Sequence, residues 1–409
     1  MTASEARYAH PVVFLLLILP FGAVSGYLTV AVAYGLAQAG VGADRIAALV
    51  AVSLLPQTWK FLWAPAVDTT LTRKTWYLLG SAGTAIGIVA TGALPATAQG
   101  LSALQVVVLL SNLALTFLAM AVESLMVYGT HPGQLGRASG WFQAGNLGGQ
   151  GLGGGAGLWM AQSLPAPWMS GAILGLLCAS CSFALWRLRE PPLLARSGKY
   201  VRDLRNVLLD LWNVVHSRAG TLALLIVFLP IGTGAAQNLW AAVADDWHAS
   251  ADTVALVTGV LGGIASALGC LIGGFGCDRM NRKSAYVIYG ALQAGCAVAM
   301  ALAPRTESMY ILFTMLYAVI TGLTYAGFSA VVLEAIGFGA AATKYNVFAS
   351  LSNMPIAYMT VVLGWAHVQR GAGAMLFAEA LCAVAAMAIF VVAATRLSKR
   401  RAAKTAPGV

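Results

Sequence analysis

Charge is what this 409-residue sequence has least of. Fourteen Asp and Glu and 24 Lys and Arg make up only 9% of the chain. A soluble domain carries about 25% charged residues. The shortage excludes a soluble enzyme of one to three domains. It also excludes disorder, which needs high charge and few apolar side chains. Histidine is scarce too, with five in all: His10, His131, His216, His248 and His367. None lies deep in an apolar run, and no H-x-x-x-H pair or carboxylate cluster marks a metal site. Asp245, Asp246, His248 and Asp252 gather in one loop, read as solvated charge. No glycine-rich run ends in a Walker lysine, and no G-x-S-x-G elbow occurs. A nucleotide-driven motor, a cofactor and a nucleophilic enzyme are therefore not expected. The six cysteines all lie within or at the ends of apolar runs. Cys178 and Cys181 are spaced as packing residues of a helix, and no disulfide is expected.

What fills the chain instead is hydrocarbon. Hydrophobic residues are 59%, and the mean hydropathy is +0.78. A membrane span needs about 20 residues. Twelve apolar segments fit near 11–37, 45–66, 75–97, 102–129, 138–163, 167–187, 219–242, 253–277, 284–303, 308–336, 344–368 and 373–396. The first run is about 27 residues, too long for a signal-peptide core of roughly 7–15, and is expected as the first span. The net charge of +10 would suggest a nucleic-acid partner in a soluble protein. Here it records topology. With the N-terminus inside, twenty Lys and Arg fall in cytoplasmic segments and only Arg45, Arg305 and Arg370 fall outside. That asymmetry predicts a multi-pass protein of the cell inner membrane with both termini cytoplasmic.

The chain reads as one unit written twice. Pro20-Phe21-Gly22 recurs as Pro230-Ile231-Gly232, Asp68 as Asp278, and Glu123 as Glu334, at offsets of 210, 210 and 211. Each pair falls at the same place in its half. The expected organisation is an N-terminal six-helix bundle (1–187), a cytoplasmic linker (188–218) and a C-terminal six-helix bundle with a short basic tail (219–409). In the linker, Leu204, Leu208, Leu211 and Val215 follow helical spacing, which predicts an amphipathic helix lying on the membrane surface. Two such repeats around a midplane site are a transporter architecture.

The loop after the second span of the second half reads Gly274-Phe-Gly-Cys-Asp278-Arg279-Met-Asn-Arg282-Lys283. It resembles the G-x-x-x-D-R-x-x-R-[RK] signature of the major facilitator superfamily; the first copy, Asp68 to Arg73-Lys74, is a degenerate version. The resemblance implies an all-α membrane protein of twelve transmembrane helices in two pseudo-symmetric bundles. It also implies a cytoplasmic latch built from Asp68, Arg73, Asp278, Arg279 and Arg282. A narrower likeness lies in Pro56-Gln57-Thr58-Trp59-Lys60-Phe61-Leu62-Trp63-Ala64-Pro65-Ala66-Val67-Asp68. This resembles the P-x-x-x-K-[FL]-L-W-[SA]-P-x-x-D run of the peptide/acetyl-CoA/drug transporter branch, with its AmpG-type muropeptide permeases and acetyl-CoA transporters. Related short importers of the RhtX/FptX type carry siderophores. In the fifth span, Gly145, Gly149, Gly153 and Gly157 recur every four residues beside Gly148, Gly151, Gly154 and Gly155, predicting one nearly bare face. Under the resemblance the fifth and eighth spans meet across the halves.

Ionisable groups inside spans are costly and commonly face a cavity or a partner. Glu123 and Glu334 are the candidate proton carriers, and Glu334 also suits the latch. Lys60 is the candidate anchor for a substrate carboxylate or phosphate, and Glu379, in the last span, is expected to be peripheral. The cavity-lining spans that the resemblance implies supply further substrate candidates. These are Tyr27, Tyr34, Gln143, Asn146, Gln150, Gln237, Asn238, Trp240, Tyr317, Thr321, Tyr325, Asn346 and Asn353. The expectation is a monomeric secondary transporter, importing a polar or anionic solute with protons and needing only substrate, protons and lipid as partners. An exporter of drugs or metabolites is the alternative. A sensor would need a soluble domain larger than the 31-residue central loop, and an acyl-transfer enzyme an intramembrane histidine.

Overall fold

In the computed structural model, described for residues 8–405 except 96, 98 and 192–199, all regular structure is helical. Arg7, Arg196 and Lys199 of the basic count lie outside the described residues. Twelve helical segments fall on the twelve apolar runs. They are α1 (Val12–Gln38), α2 (43–69), α3 (Arg73–Ala93), α4 (Leu101–Gly129), α5 (Leu135–Ser163), α6 (167–187), α7 (218–247), α8 (251–279), α9 (Arg282–Leu302) and α10 (Glu307–Ile336). The continuous stretch Ala341–Thr405 is broken at Gly371, where φ is +77°, giving α11 (341–370) and α12 (372–405). Eight stretches, with Ala341–Arg396 as one, are long and apolar enough to cross a membrane. The other three segments are interrupted or, in α5, thinned by glycine.

Polar residues punctuate these helices where the chain turns. The Thr72 hydroxyl accepts from the Thr75 amide (3.1 Å) to start α3, and Asn281 accepts from Lys283 N (3.1 Å) to start α9. Each satisfies amide donors that a helix start leaves open. Packing then repeats with a six-helix offset. Helix α1 lies on α5 as α7 lies on α11, and α2 on α4 as α8 on α10. Across the halves α5 meets α8 and α10, while α11 meets α2 and α4.

The repeat is not mechanically even. Pro20-Phe21-Gly22 sits inside a continuous helix, whereas Pro230-Ile231-Gly232 breaks α7 between Phe228 and Ala235. Gly232 and Gly234 take φ of +62° and +69°, which only glycine adopts without strain. Gly22 serves a different need, because a Cβ there would strike the Asn146 carbonyl of α5.

Helix α5 also departs from expectation. It has two bare faces, not one. Gly145, Gly149 and Gly153 pack on the α1 backbone inside the same half, whereas Gly136, Gly140, Gly151 and Gly155 pack on α8 across the halves. Glycine occurs at every helical phase here, so the run 145, 149, 153 and 157, with Gly154, marks the internal contact, while Gly148, Gly151 and Gly155 mark the other. A Cβ on Gly149 would sit 2.7 Å from Leu19 O and 3.2 Å from Ala23 N, both fixed backbone atoms. Gly149→Ala should therefore destabilise the N-terminal half by about 1–3 kcal/mol through overpacking. A detergent melting curve unchanged from wild type would contradict this.

The linker helix (Tyr200–His216) meets the start of α7 at 81°. It runs across the end of the bundle, with Val207 buried while Leu208, Leu209 and Trp212 are exposed. Leu208, one of the four apolar positions expected to face the membrane surface, is exposed. The 204, 207, 211 and 214 positions turn towards the protein.

Candidate functional site

The site begins with a proline-driven change of helix. Pro56 lacks the amide that would bond one turn back, and Pro65 starts a fresh turn. Between them α2 tightens to a 3₁₀ turn at Lys60–Leu62. The Lys60 side chain is directed into the bundle and is buried. Its Nζ lies 3.5 Å from Glu123 Oε1 on α4 and 6.0 Å from the Phe21 ring centroid on α1. Glu123 Oε2 accepts from Asn346 Nδ2 on α11 at 2.5 Å. A buried cation, a buried anion and an amide thus join both halves through one contact chain. A lone charge here would carry a desolvation penalty of several kcal/mol, and the pair offsets much of it.

Lys60 and Glu123 border a cavity of about 360 Å³ lined from both halves, whereas Asn346, expected in the site, is fully buried behind Glu123 and does not line it. It brings together Lys60, Glu123, Gln143, Asn146, Gln150, Tyr325 and Asn353 of the sequence candidates. Gln143 and Asn146 are linked to each other at 3.1 Å. The cavity is also lined by Ser53, Gln57, Asn112, Thr233 and Thr324, which sequence reasoning missed. Gln57 and Asn112 had a usable signal, as amides in the middle of apolar helices. Phe21, Phe142, Tyr286, Phe328 and Tyr345 supply aromatic walls. Its lining contains one ion pair and many amides, so it suits a solute with polar and ring-like portions.

Other candidates lie elsewhere. Gln237 and Trp240 border a second cavity of about 190 Å³, which shares Leu147 and Gln150 with the first. Tyr34 is exposed at the end of α1, and Asn238 is exposed and donates to Thr360 at 3.0 Å. Tyr27 is buried against Ser170 of α6 (3.0 Å), Thr321 accepts from Gln293 (3.1 Å), and Tyr317 bonds Glu379. Glu379 is therefore not peripheral: α12 lies at the edge of the bundle, but it directs this carboxyl inward against α10.

At the end carrying the basic loops, two aspartates bind helix starts in the opposite half. Asp68 accepts from Ala342 N (3.2 Å), Thr343 N (2.8 Å) and Thr343 Oγ1 (2.8 Å) at the start of α11. Asp278 accepts from Gly136 N (2.7 Å), Arg137 N (3.1 Å) and Arg137 Nε (3.0 Å) at the start of α5. Unpaired amides and the helix dipole both favour an anion there. Arg73 is buried, with Nη2 3.9 Å from Asp68. Arg282 donates to Glu334 (2.9 Å) and across the halves to Pro132 O (3.2 Å), and Lys283 also reaches Glu334 (2.7 Å). Arg279 is the exception among the latch residues; exposed, it stacks 3.9 Å from the Phe275 ring of its own helix. The linker adds two ties at this end. Glu190 accepts from Arg73 N (2.7 Å) and Lys74 N (3.1 Å), and Asp210 accepts from Ala340 N (2.9 Å) and Lys344 Nζ (3.0 Å).

The Major Facilitator Superfamily profile matches residues 12–356. No curated protein matches the sequence. Among solved structures, the human organic anion transporter MFSD10 (TETRAN) superposes with a TM-score of 0.72 at 17% identity, over 95% of this chain and 100% of that one. The E. coli fucose:proton symporter FucP gives 0.70 at 14% identity, over 94% and 98%. The proton:xylose symporter XylE, bound to 6-bromo-6-deoxy-D-glucose, gives 0.62 at 13%, over 92% and 94%. At these identities the likeness is one of fold.

Proposed function

The chain belongs to the major facilitator superfamily, and from that premise we propose that it imports a polar or anionic organic solute with protons by alternating access. The observation that carries this reading is the Lys60–Glu123 ion pair on the cavity wall. A carboxylate in that position can exchange its proton for its hold on a cation. With Glu123 ionised, the Lys60 ammonium is engaged. A proton on Glu123 weakens that hold and leaves the ammonium to a substrate carboxylate or phosphate. Return of the proton on the other side restores the pair and displaces the anion, so one proton and one negative charge move together.

Sidedness follows from the basic loops. The basic end is the cytoplasmic one, the membrane is the cell inner membrane, and both termini are inside. The halves 1–187 and 219–409 rock across the α5–α8 seam. Asp68, Arg73, Asp278 and Arg282 hold the cytoplasmic end shut, with Arg279 flanking the latch. Glu334, already shared by Arg282 and Lys283, belongs to that latch more than to the proton route. The run around Lys60 favours cargo of the muropeptide or siderophore kind.

The test is uptake into proteoliposomes under an inward proton gradient, using labelled anhydro-muropeptides, ferric siderophores and acetyl-CoA. One of these should accumulate. Glu123→Gln should bind it but no longer concentrate it, and Lys60→Ala should weaken binding at least tenfold. A fully active Glu123→Gln protein with an unchanged pH profile would remove the proton role.

A further inference from the structure

The proton cycle outlined above uses one buried carboxyl group, yet the C-terminal half holds another. Glu379 on α12 is 4% exposed. Among the described residues, no Lys, Arg or His makes an ion pair with it. Its Oε1 accepts from the Tyr317 hydroxyl of α10. Its Oε2 is buried and has no hydrogen-bond partner. The other titratable group near it is Cys296 of α9, and from α7 the Ala236 amide faces it. An ionised carboxylate so placed would lack any countercharge in a buried setting, where an unpaired charge is costly. The neutral acid fits the same place without that penalty, because it can accept from Tyr317 and carry its own proton on Oε2.

Its position ties it to the broken helix α7. Ala236 is the second residue of the outer segment of α7, which starts at Ala235 directly after the left-handed glycines 232 and 234. Trp240 of that segment packs edge-on against Tyr317, with ring centroids 5.1 Å apart, and its buried Nε1 also lacks an acceptor. Trp240, Gln237 and the α10 residues Thr314 and Ala318 line the second cavity, so Glu379 and Tyr317 stand one layer behind its wall.

We propose that Glu379 is a second proton-binding site, whose proton sets the position of the outer segment of α7 through Tyr317 and Trp240. With the proton bound, the segment rests as described. Loss of the proton leaves a carboxylate in need of donors, and Trp240 Nε1–H is an unsatisfied one on the segment able to move. The second cavity then changes shape with the protonation of a group outside it. This role in the cycle rests on the proton-coupled reading, but the protonation itself can be tested without any substrate.

The experiment is pH-titrated infrared difference spectroscopy of the full-length protein in lipid vesicles. The carboxylic C=O stretch of a dry, neutral acid should be present at neutral pH, vanish on alkalinisation, be absent in Glu379→Gln, and remain in Glu123→Gln. Its loss in Glu123→Gln with retention in Glu379→Gln would assign the proton to the first site alone and overturn the proposal. So would the absence of any such band. Tyr317→Phe removes a donor that favours the ionised form. Its band should persist to higher pH by about one unit, a shift that also serves if Glu379→Gln does not fold. Coupling is read from maleimide labelling of Gln237→Cys. Because the thiolate is the form that reacts, each rate is taken relative to that of a free thiol at the same pH. This relative rate should change several-fold across the pH at which the band disappears, and the change should be lost when Glu379→Gln is added. A relative rate that ignores pH in the otherwise wild-type protein would overturn the link to α7.

Discussion

Replacing Lys60 by methionine is expected to abolish uptake and to lower stability sharply. Glu123 is buried, and the Lys60 ammonium at 3.5 Å is the only cation it pairs with among the described residues. Breaking a buried pair from one side costs about 3–5 kcal/mol when the remaining charge has no compensation. The carboxyl group can escape part of that only by taking up a proton, which would silence it in the proposed coupling role. The double variant Lys60→Met with Glu123→Met should recover most of the lost stability, since well-packed apolar pairs often replace buried ion pairs at no net cost. It should remain inactive. Thermal unfolding in detergent and proteoliposome uptake together decide the matter. A double variant as unstable as the single one would mean that the destabilisation comes from packing and not from an orphaned charge.

The second large effect is expected at Asp68. Asp68→Asn keeps the shape but removes the charge that receives three donors from the opposite half. Hydrogen bonds to a charged group contribute about 1.5–3 kcal/mol. A net loss of roughly 2 kcal/mol shifts the balance between closed and open forms of the end carrying the basic loops about thirtyfold towards open. Spin labels at Leu71 and Met280, both exposed and on opposite halves, should report a longer distance population. Asp278→Asn should act in the same direction but more weakly, because its Arg137 partner is 45% exposed and screened by water. Equal distance distributions in wild type and Asp68→Asn would show that the latch does not hold the halves.

Much of this arrangement was legible because charge is rare in the sequence. Lys60 and Glu123 stand out as ionisable residues within apolar runs, and the cavity does bring them together. The aspartates of the two loops could be placed by the repeat, and each binds a helix start across the midline. What stayed hidden depends on rotation about helix axes. Tyr34 and Asn238 lie on helices that line the bundle, but on faces turned away from either cavity. Glu379 is a single charge on an apolar helix, so no polar periodicity reveals that it points inward. Glycine crowds α5 at every phase, and hydropathy cannot divide those residues between an internal seam and one between the halves. The break in α7 needed two left-handed glycines; Pro230-Ile231-Gly232 alone looks the same as its unbroken counterpart.

That break makes the two halves unequal in compliance. In the N-terminal half, α1 runs unbroken from Val12 to Gln38, loosening only to a π-helical stretch at Tyr27–Val32, and packs along α5. In the C-terminal half, the backbone at 229–234 gives way first, and the outer segment of α7 can pivot without dragging the Arg218–Phe228 segment with it. A transporter built this way does not close as two mirror-image jaws. One jaw keeps its first helix whole, while the other carries a joint in the matching helix.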